Sequence, residues 1–310
     1  MSETTKKSAP KIRTSAKSPI KLSEVGGKTL KWAILAGFAV FSLVPMTWML
    51  LAPSKTQPEL QQNPPLSFGT FEGYITAWNN LALFQDARIL QWLWNSVWYS
   101  TLQVAVATTV AILAGYALAA TRMPFRKPML ILTLIAMIVP AVAFVLPIFV
   151  QVAQLGLYNT PWAIILPGMF YPFGVFLAYI YFSTTIPREL YDAATVDGAG
   201  DWGTLFRIAL PMSKGLIGML AFFSFQSNWV NFFMPYMVVN SGEYLTLPVG
   251  MGILFSQTPA LNPGVGAVAL PIRGPEIALA GLIVTLPILI VFLLSSRLLV
   301  RGVLAGAVKS

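Results

Sequence analysis

The chain has 310 residues, of which 56% are hydrophobic and only 10% are charged, whereas soluble proteins carry about 25% charged residues. This composition argues against most soluble folds and excludes a disordered chain, a disulfide scaffold and a coiled coil. Because the sequence contains no Cys and no His, thiol nucleophiles, thiolate metal sites and imidazole bases are excluded as well.

Five stretches of the chain contain no charged residue, and they predict the membrane-spanning segments. A helix needs about 20 apolar residues to cross the roughly 30 Å of hydrocarbon in a bilayer. The third stretch is long enough for two helices, and its residues 156–161 (GLYNTP) are turn-forming residues that divide it near the middle. The sequence therefore predicts six spans, which lie within residues 32–52, 89–121, 128–187, 215–242 and 277–296.

The Lys and Arg residues are divided unevenly between the two sides of these spans. Seventeen of the 20 lie in the N-terminal tail, in the second and fourth connections and at the C-terminal end, and only Lys55, Arg88 and Arg273 lie on the other side. By the positive-inside rule, both termini are predicted to be cytoplasmic. We therefore predict an all-α integral membrane protein with a basic cytoplasmic tail (1–31), a six-helix domain (32–300) and a C-terminal cytoplasmic tail (301–310). The six-helix domain includes a cytoplasmic loop (186–214) and an outside loop (241–276), whose prolines predict an ordered shape without a helix.

No charged residue lies within a predicted span. Ion-coupled transporters and proton pumps place ionisable groups at membrane depth because those groups carry the coupling ion. If the chain moves a solute uphill, the energy is therefore expected to enter from outside the bilayer. A sodium ion held by the carbonyls of broken helices remains an alternative.

The cytoplasmic loop between the fourth and fifth spans predicts two short helices joined by a turn. Pro187 suits a first helical position, and Glu189 favours the positive end of the helix that follows. Gly198 and Gly200 allow the chain to turn, and Asp201 is expected to cap a second helix that ends near Pro211.

This loop is predicted to receive a soluble partner. Its small residues allow the close approach of another surface, and Phe206 is a side chain suited to fill a partner's pocket. Amphipathic helices that rest on lipid are usually rich in Lys and Arg, whereas this loop has four acidic and three basic residues. A lipid-surface role is therefore less favoured.

The sequence DAATVDGA of residues 192–199, followed by Phe206, Ile208, Leu210 and Pro211, resembles the EAA loop of binding-protein-dependent ABC importer permeases. Asp192 stands where that family has a leading Glu. Asn95-Ser96, WVNFF at 229–233 and GVLAGAVK at 302–309 resemble the carbohydrate branch, in particular permeases of the maltose-permease (MalG) type. The resemblance covers residues 28–310.

The resemblance implies a subunit without catalytic activity in a bacterial or archaeal cytoplasmic (inner) membrane. Its implied partners are a second permease subunit, two ATPase subunits that bind ATP and Mg, an extracytoplasmic solute-binding protein and a sugar, with no role for nucleic acid. The residues implied to couple to the ATPase subunit are Glu189, Asp192, Ala193, Ala194, Asp197, Gly198, Ala199, Phe206, Leu210, Pro211, Gly306 and Lys309.

Two amides in the fifth span suggest where the solute passes. Sugars are bound by amides combined with aromatic faces, and two Asn in one span are unfavourable unless they face a wet cavity or a partner helix. The candidate translocation path comprises Asn228, Trp229, Asn231 and Phe232, with helix–helix hydrogen bonding as the alternative role. For the whole chain, the alternative function is an ion- or potential-driven carrier or channel, which would leave the loop 186–214 without an ATPase partner.

Overall fold

A computed structural model describes residues 22–85, 87–258, 261–262, 264 and 271–307 of the chain, with side chains described within residues 27–299. These residues form helices and connecting turns without any strand, so the predicted all-α class is confirmed for them. Most of the predicted basic tail (1–31) and the predicted coupling residue Lys309 lie outside the described residues.

The helices follow one another with short connections. Two 3₁₀ turns cover Ala52–Ser54 and Ala141–Phe144, and one π-helical turn covers Leu205–Ala209. The α-helices are α1 (Leu22–Leu51), α2 (Gln57–Gln62), α3 (Phe71–Ala82), α4 (Arg88–Ala120), α5 (Arg126–Ile138), α6 (Val145–Gln154), α7 (Pro161–Gly168), α8 (Pro172–Thr184), α9 (Arg188–Val196), α10 (Asp201–Thr204), α11 (Leu210–Met212), α12 (Lys214–Trp229), α13 (Phe233–Val238), α14 (Leu247–Ser256) and α15 (Gly274–Ala307).

Four helical segments among the described residues are long and apolar enough to cross a membrane. They are Gly27–Ser54, Arg88–Ala120, Pro161–Thr184 and Gly274–Leu299. Two bent helix pairs, Arg126–Ile138 with Ala141–Gln154 and Asp201–Met212 with Lys214–Trp229, raise the number to six if each pair counts as one span. The chain is thus a multi-pass membrane protein with four to six spans.

The long third uncharged stretch contains one break that the sequence predicted and two that it did not, of which the later lies between α7 and α8 at residues 169–171. Helix α6 ends at Gln154 and α7 begins at Pro161, on either side of the turn predicted at 156–161. The earlier of the two unpredicted breaks separates α5 from the 3₁₀ turn, and the two parts of this bent pair meet at 101°. Val139 is extended there, with φ −68° and ψ 125°, as expected for a residue that precedes a proline.

The fourth uncharged stretch, 215–242, was expected to hold one helix, and this is wrong. Helix α12 ends at Trp229 and α13 begins only at Phe233. The interruption is explained by Pro235, which has no amide hydrogen to donate to the carbonyl of Asn231 four residues earlier.

The outside loop, 241–276, was expected to be ordered without a helix, and this too is wrong. It contains α14, whose Leu247, Val249 and Leu254 side chains are fully buried. Pro248 lies in the first turn, where a helix tolerates proline because that amide would have no partner. The prolines that suggested a helix-free loop lie after this helix.

Helix α4 lies at the centre of the unit formed by residues 49–310, in contact with α7, α8, α12 and α14. Two buried clusters surround it. One contains Trp92, Tyr99 and Trp229, and the other contains Tyr116, Phe182, Leu205, Ala209 and Leu216. The second cluster joins α4 and α8 to the loop between α8 and α12, which is the predicted coupling loop.

Helix α15 extends without interruption through Ala307. The predicted C-terminal tail, 301–310, therefore begins as a continuation of this helix, and Gly306 lies in its last turn.

Candidate coupling loop and membrane cavity

The first arm of the loop, α9, ends in a hydrogen-bonded turn that requires a left-handed residue. The Ala199 amide donates to the Ala194 carbonyl at 2.9 Å, and the Gly198 amide donates to the Thr195 carbonyl at 3.1 Å. This pair of bonds is the Schellman arrangement. Gly198 has φ +77°, a conformation in which residues with a Cβ atom are strained. The turn predicted at Gly198 thus lies where the sequence placed it.

The second arm runs from Asp201 to Met212 as α10, the π-helical turn and α11. Gly200, and not Asp201, occupies the N-cap position. Asp201 is the first helical residue, where its charge still favours the positive end of the helix. Ser213 then marks an 80° bend into α12. Because of this bend, the second arm is set at a steep angle to the membrane helix that follows it.

The predicted coupling residues do not all face the same way. Ala194 is buried, and Ala199 and Leu210 are half-buried, so these residues pack within the chain. The exposed members of the set are Glu189, Asp192, Ala193, Asp197, Gly198, Phe206 and Pro211. The exposed surface therefore combines two carboxylates on α9 and the Asp197 carboxylate directly after it with an aromatic residue on the second arm.

Trp202 belongs to this surface, although sequence reasoning did not select it. Its side chain is 64% exposed and that of Phe206 is 58% exposed, and the two rings stack with centroids 5.9 Å apart. Residues four positions apart share one face of a helix, and this spacing could have identified the pair. Two stacked and exposed aromatic rings form the kind of anchor that fills a pocket in a partner protein.

The inner side of the loop is held by buried contacts with the membrane helices. Leu205 and Ala209 lie in the cluster that contains Tyr116 and Phe182. The Tyr191 hydroxyl on α9 donates to the Phe182 carbonyl at 3.4 Å. Burial raises the pKa of Tyr191, so its hydroxyl remains a proton donor near neutral pH.

A cavity of about 590 Å³ lies between α6, the end of α7, α12 and α13. Much of its wall is apolar, which is usual for ligand pockets. Its polar side chains include Gln151, Ser224, Ser227, Asn228 and Asn231. Sequence reasoning missed Gln151, although an amide within an apolar helix is the same signal that selected the two asparagines.

The structure brings together only two of the four residues predicted to form the translocation path. Asn228 and Asn231 line the cavity. Trp229 lies elsewhere, since its indole is buried in the first core cluster and its Nε1–H donates to the Val284 carbonyl at 3.0 Å. Phe232 is half-exposed and stacks on Tyr236 with ring centroids 5.5 Å apart.

A close contact of three helices closes one side of the cavity. Gln103 on α4 is buried, and its amide donates to the Ile164 carbonyl at 2.9 Å. The Asn228 amide donates to the Gly168 carbonyl at 3.4 Å. A Cβ atom on Gly168 would lie 2.0 Å from Gln103 Nε2 and 2.8 Å from Asn228 Oδ1. Any larger residue at this position would require both amide side chains to move.

Comparison with known proteins places the chain beside transport-system permeases. A family model described as "Binding-protein-dependent transport system inner membrane component" matches residues 108–305. The chain is 32% identical over 286 residues to the arabinooligosaccharides transport system permease protein AraQ of Halalkalibacterium halodurans, covering 90% of this chain and 97% of the relative. It is 30% identical over 284 residues to the lactose transport system permease protein LacG of Rhizobium radiobacter, covering 90% and 96%.

The fold has a solved counterpart. It is similar to a chain in the crystal structure of a bacterial ABC transporter involved in the import of the acidic polysaccharide alginate. The TM-score is 0.72 and the sequence identity is 18%, with 91% of this chain and 99% of that chain covered. At this identity the likeness establishes the arrangement of the helices.

Proposed function

The chain belongs to the family of binding-protein-dependent transport system inner membrane components, and from this premise we propose that it is the permease subunit of an ATP-driven importer for a mono- or oligosaccharide. The observation that carries the proposal is the exposed loop of residues 188–212, which bears the DAATVDGA sequence on a surface with a stacked aromatic pair. The resemblance first seen in the sequence is confirmed at the level of the family.

In this proposal the bent pair Arg126–Ile138 with Ala141–Gln154 is one span, and the segment 215–242 after the loop is another. This gives six spans with both termini and the loop 186–214 in the cytoplasm. The permease domain covers residues 32–300, and the cytoplasmic (inner) membrane of a bacterium or archaeon is its location. The uneven distribution of Lys and Arg supports this orientation.

The proposed assembly contains a second permease subunit, two ATPase subunits and an extracytoplasmic solute-binding protein. The ATPase subunits bind ATP and Mg, and this chain contributes half of the translocation pathway without catalysing a reaction. The absence of charged residues from the spans supports an energy source outside the bilayer. The names of the relatives, which concern arabinooligosaccharides and lactose, support a sugar as the solute.

Copurification tests this function against the alternative of an ion- or potential-driven carrier. A permease subunit is expected to retain an ATPase subunit through purification from its native membrane and to support uptake into vesicles only with ATP inside. Uptake driven by an ion gradient or membrane potential, without a retained ATPase, would establish the carrier instead.

Replacing the aromatic pair is expected to release the ATPase subunit. Truncating a buried interface aromatic typically costs about 2 kcal/mol or more. Trp202→Ala and Phe206→Ala are therefore each expected to weaken retention of the ATPase subunit by at least about tenfold in a pull-down at graded concentration. Phe125→Ala is the matched control, because Phe125 is also exposed, at 76%, but lies outside the loop. Equal retention by all three variants would remove the aromatic pair from the interface.

Thiol labelling tests the cavity directly, because the native chain has no Cys. Single cysteines at Gln151, Ser227 and Asn231 are expected to react with a water-soluble thiol reagent, and the transported sugar is expected to slow the reaction. A cysteine at Trp229 is expected to remain unlabelled, since that side chain is buried. If none of the three cavity positions reacts, the cavity is dry and the solute passes elsewhere.

A further inference from the structure

Two tyrosine hydroxyls hold the two ends of the loop's second arm. The Tyr116 hydroxyl on α4 donates to the carbonyl of Asp201, the first residue of the arm, at 3.0 Å. The Tyr181 hydroxyl on α8 donates to the carbonyl of Met212, the last residue of the arm, also at 3.0 Å. The arm is thus attached at its start to one membrane helix and at its end to another.

The Met212 carbonyl lies where the helix stops at the 80° bend. The last carbonyls of a helix have no partner within it and need one from outside. Tyr181 provides that partner from α8, so the bend is fixed by a side chain of a different helix from the one it leads into.

At the other end of the arm, Leu205 packs in the cluster that contains Tyr116, but open space remains beside this contact. A cavity of about 400 Å³ lies beside it, lined by Tyr116, Asp201, Trp202 and Leu205 among others. Where such a void adjoins a contact, close packing constrains it less. The hydrogen bond between Tyr116 and Asp201 therefore adds a directional contact between the arm and α4 to the packing of Leu205.

The two helices that carry these tyrosines are themselves in close contact next to them. A Cβ atom on Gly115 would lie 2.4 Å from the Cβ atom of Ala178 and 2.8 Å from the Tyr179 backbone nitrogen. Gly115 precedes Tyr116, and Ala178 lies one helical turn before Tyr181. At this level α4 and α8 are packed backbone to backbone, and a displacement of one carries the other.

From these contacts we infer that Tyr116 and Tyr181 are positioning residues that attach the second arm of the loop to the α4–α8 pair. The inference rests on the proposed function, since it assumes that an ATPase subunit moves the loop. With both hydroxyl contacts intact, a displacement of the loop moves α4 and α8 together. Without them, the arm pivots at Gly200 and Ser213, and its motion is lost before it reaches the spans.

The test uses Tyr116→Phe, Tyr181→Phe and the double variant in the complete transporter reconstituted in vesicles. Each substitution removes one oxygen and keeps the ring. Hydrogen exchange of the amides in residues 201–212 is expected to become about fivefold faster for each hydroxyl removed, which corresponds to about 1 kcal/mol per buried hydrogen bond. Sugar transported per ATP hydrolysed is expected to fall by a similar factor in each single variant and further in the double variant.

Tyr158→Phe is the matched control. The Tyr158 ring packs edge-on against Phe149, and within the described part of the chain its hydroxyl donates no hydrogen bond. Its removal is expected to leave both the exchange rates and the transport ratio unchanged. If the double variant does not assemble, the two single variants decide the question by the same two measurements.

Faster exchange with an unchanged transport ratio would overturn the inference, because the tyrosines would then only stabilise the loop. Unchanged exchange would overturn it as well. The proposed function fails by a different observation, namely that the wild-type chain retains no ATPase subunit, so the two failures are distinguishable.

Discussion

Gly198→Trp is expected to abolish sugar transport while leaving the permease in the membrane. The residue at 198 must adopt φ +77° to close the turn after α9, and a left-handed conformation costs roughly 1–2 kcal/mol for a residue with a Cβ atom. No atom of the described chain lies within 4 Å of the position of a Cβ here. The chain itself therefore leaves space for the start of a side chain at this position, and the proposed obstruction by Trp comes from the approaching ATPase subunit.

The two effects at Gly198 can be separated by a series of substitutions. Gly198→Asn keeps much of the left-handed preference and is expected to retain most transport. Gly198→Ala introduces the backbone strain without bulk, and is expected to lower transport about fivefold, as about 1 kcal/mol of strain implies. Gly198→Trp adds bulk and is expected to hydrolyse ATP without transport.

The measurement is sugar uptake and ATP hydrolysis in the same vesicles. Wild-type transport by Gly198→Trp, with the ATPase subunit still bound, would show that no partner approaches this turn. Equal loss by the Asn and Trp variants would attribute the effect to some feature other than the left-handed backbone.

The sequence predicted those features that local chemistry determines. The single helix predicted within residues 89–121 is α4, which fills almost all of this long apolar run between charged residues. The turns at 156–161 and at Gly198 were predicted because Gly, Asn and Pro favour turns independently of the surrounding fold. The acidic start of α9 was predicted for the same local reason.

The features that the sequence did not predict depend on tertiary context. Membrane helices accept proline when neighbouring helices satisfy the freed backbone groups, so the sequence does not distinguish a kink from the breaks at 139–140 and 230–232. Helix α14 was missed because it is short for a span and has a proline, Pro248, in its first turn. Its burial against α4 stabilises it, and this contact joins segments far apart in the sequence.

The directions of the side chains in the candidate path also could not be predicted from the sequence. Asn228 and Trp229 are adjacent in sequence, but adjacent residues on a helix point about 100° apart. Only the positions of α6 and α15 show which direction faces the cavity and which faces the core. Gln103 was missed because it acquires its role from α7, a helix that is distant in the sequence.

Gly168 yields the second large effect, because it holds α7 against the amides of two other helices. An Ala side chain at this position would have to displace the Gln103 amide, which is buried and bonded to the Ile164 carbonyl. Forcing extra atoms into a packed site typically costs about 1–3 kcal/mol, and displacement of Gln103 also breaks a hydrogen bond. Gly168→Ala is therefore expected to lower the thermal unfolding temperature and to reduce transport severalfold. Gly168→Val is expected to abolish transport.

A compensating substitution distinguishes this steric cause from a general weakness of α7. Gln103→Ala removes the side chain that the new Cβ would approach most closely. Asn228 Oδ1, which would lie 2.8 Å from this Cβ, still has to shift, but it is the end of a flexible side chain. The double variant Gly168→Ala/Gln103→Ala is expected to recover more than half of the stability lost by Gly168→Ala, as measured by thermal unfolding in detergent. Two residues in direct contact do not have additive effects, so simple addition of the two single losses would mean that Gly168 and Gln103 do not meet in the membrane. Recovered transport in the double variant would further show that the Gln103 amide shapes the cavity without being required for the passage of the sugar.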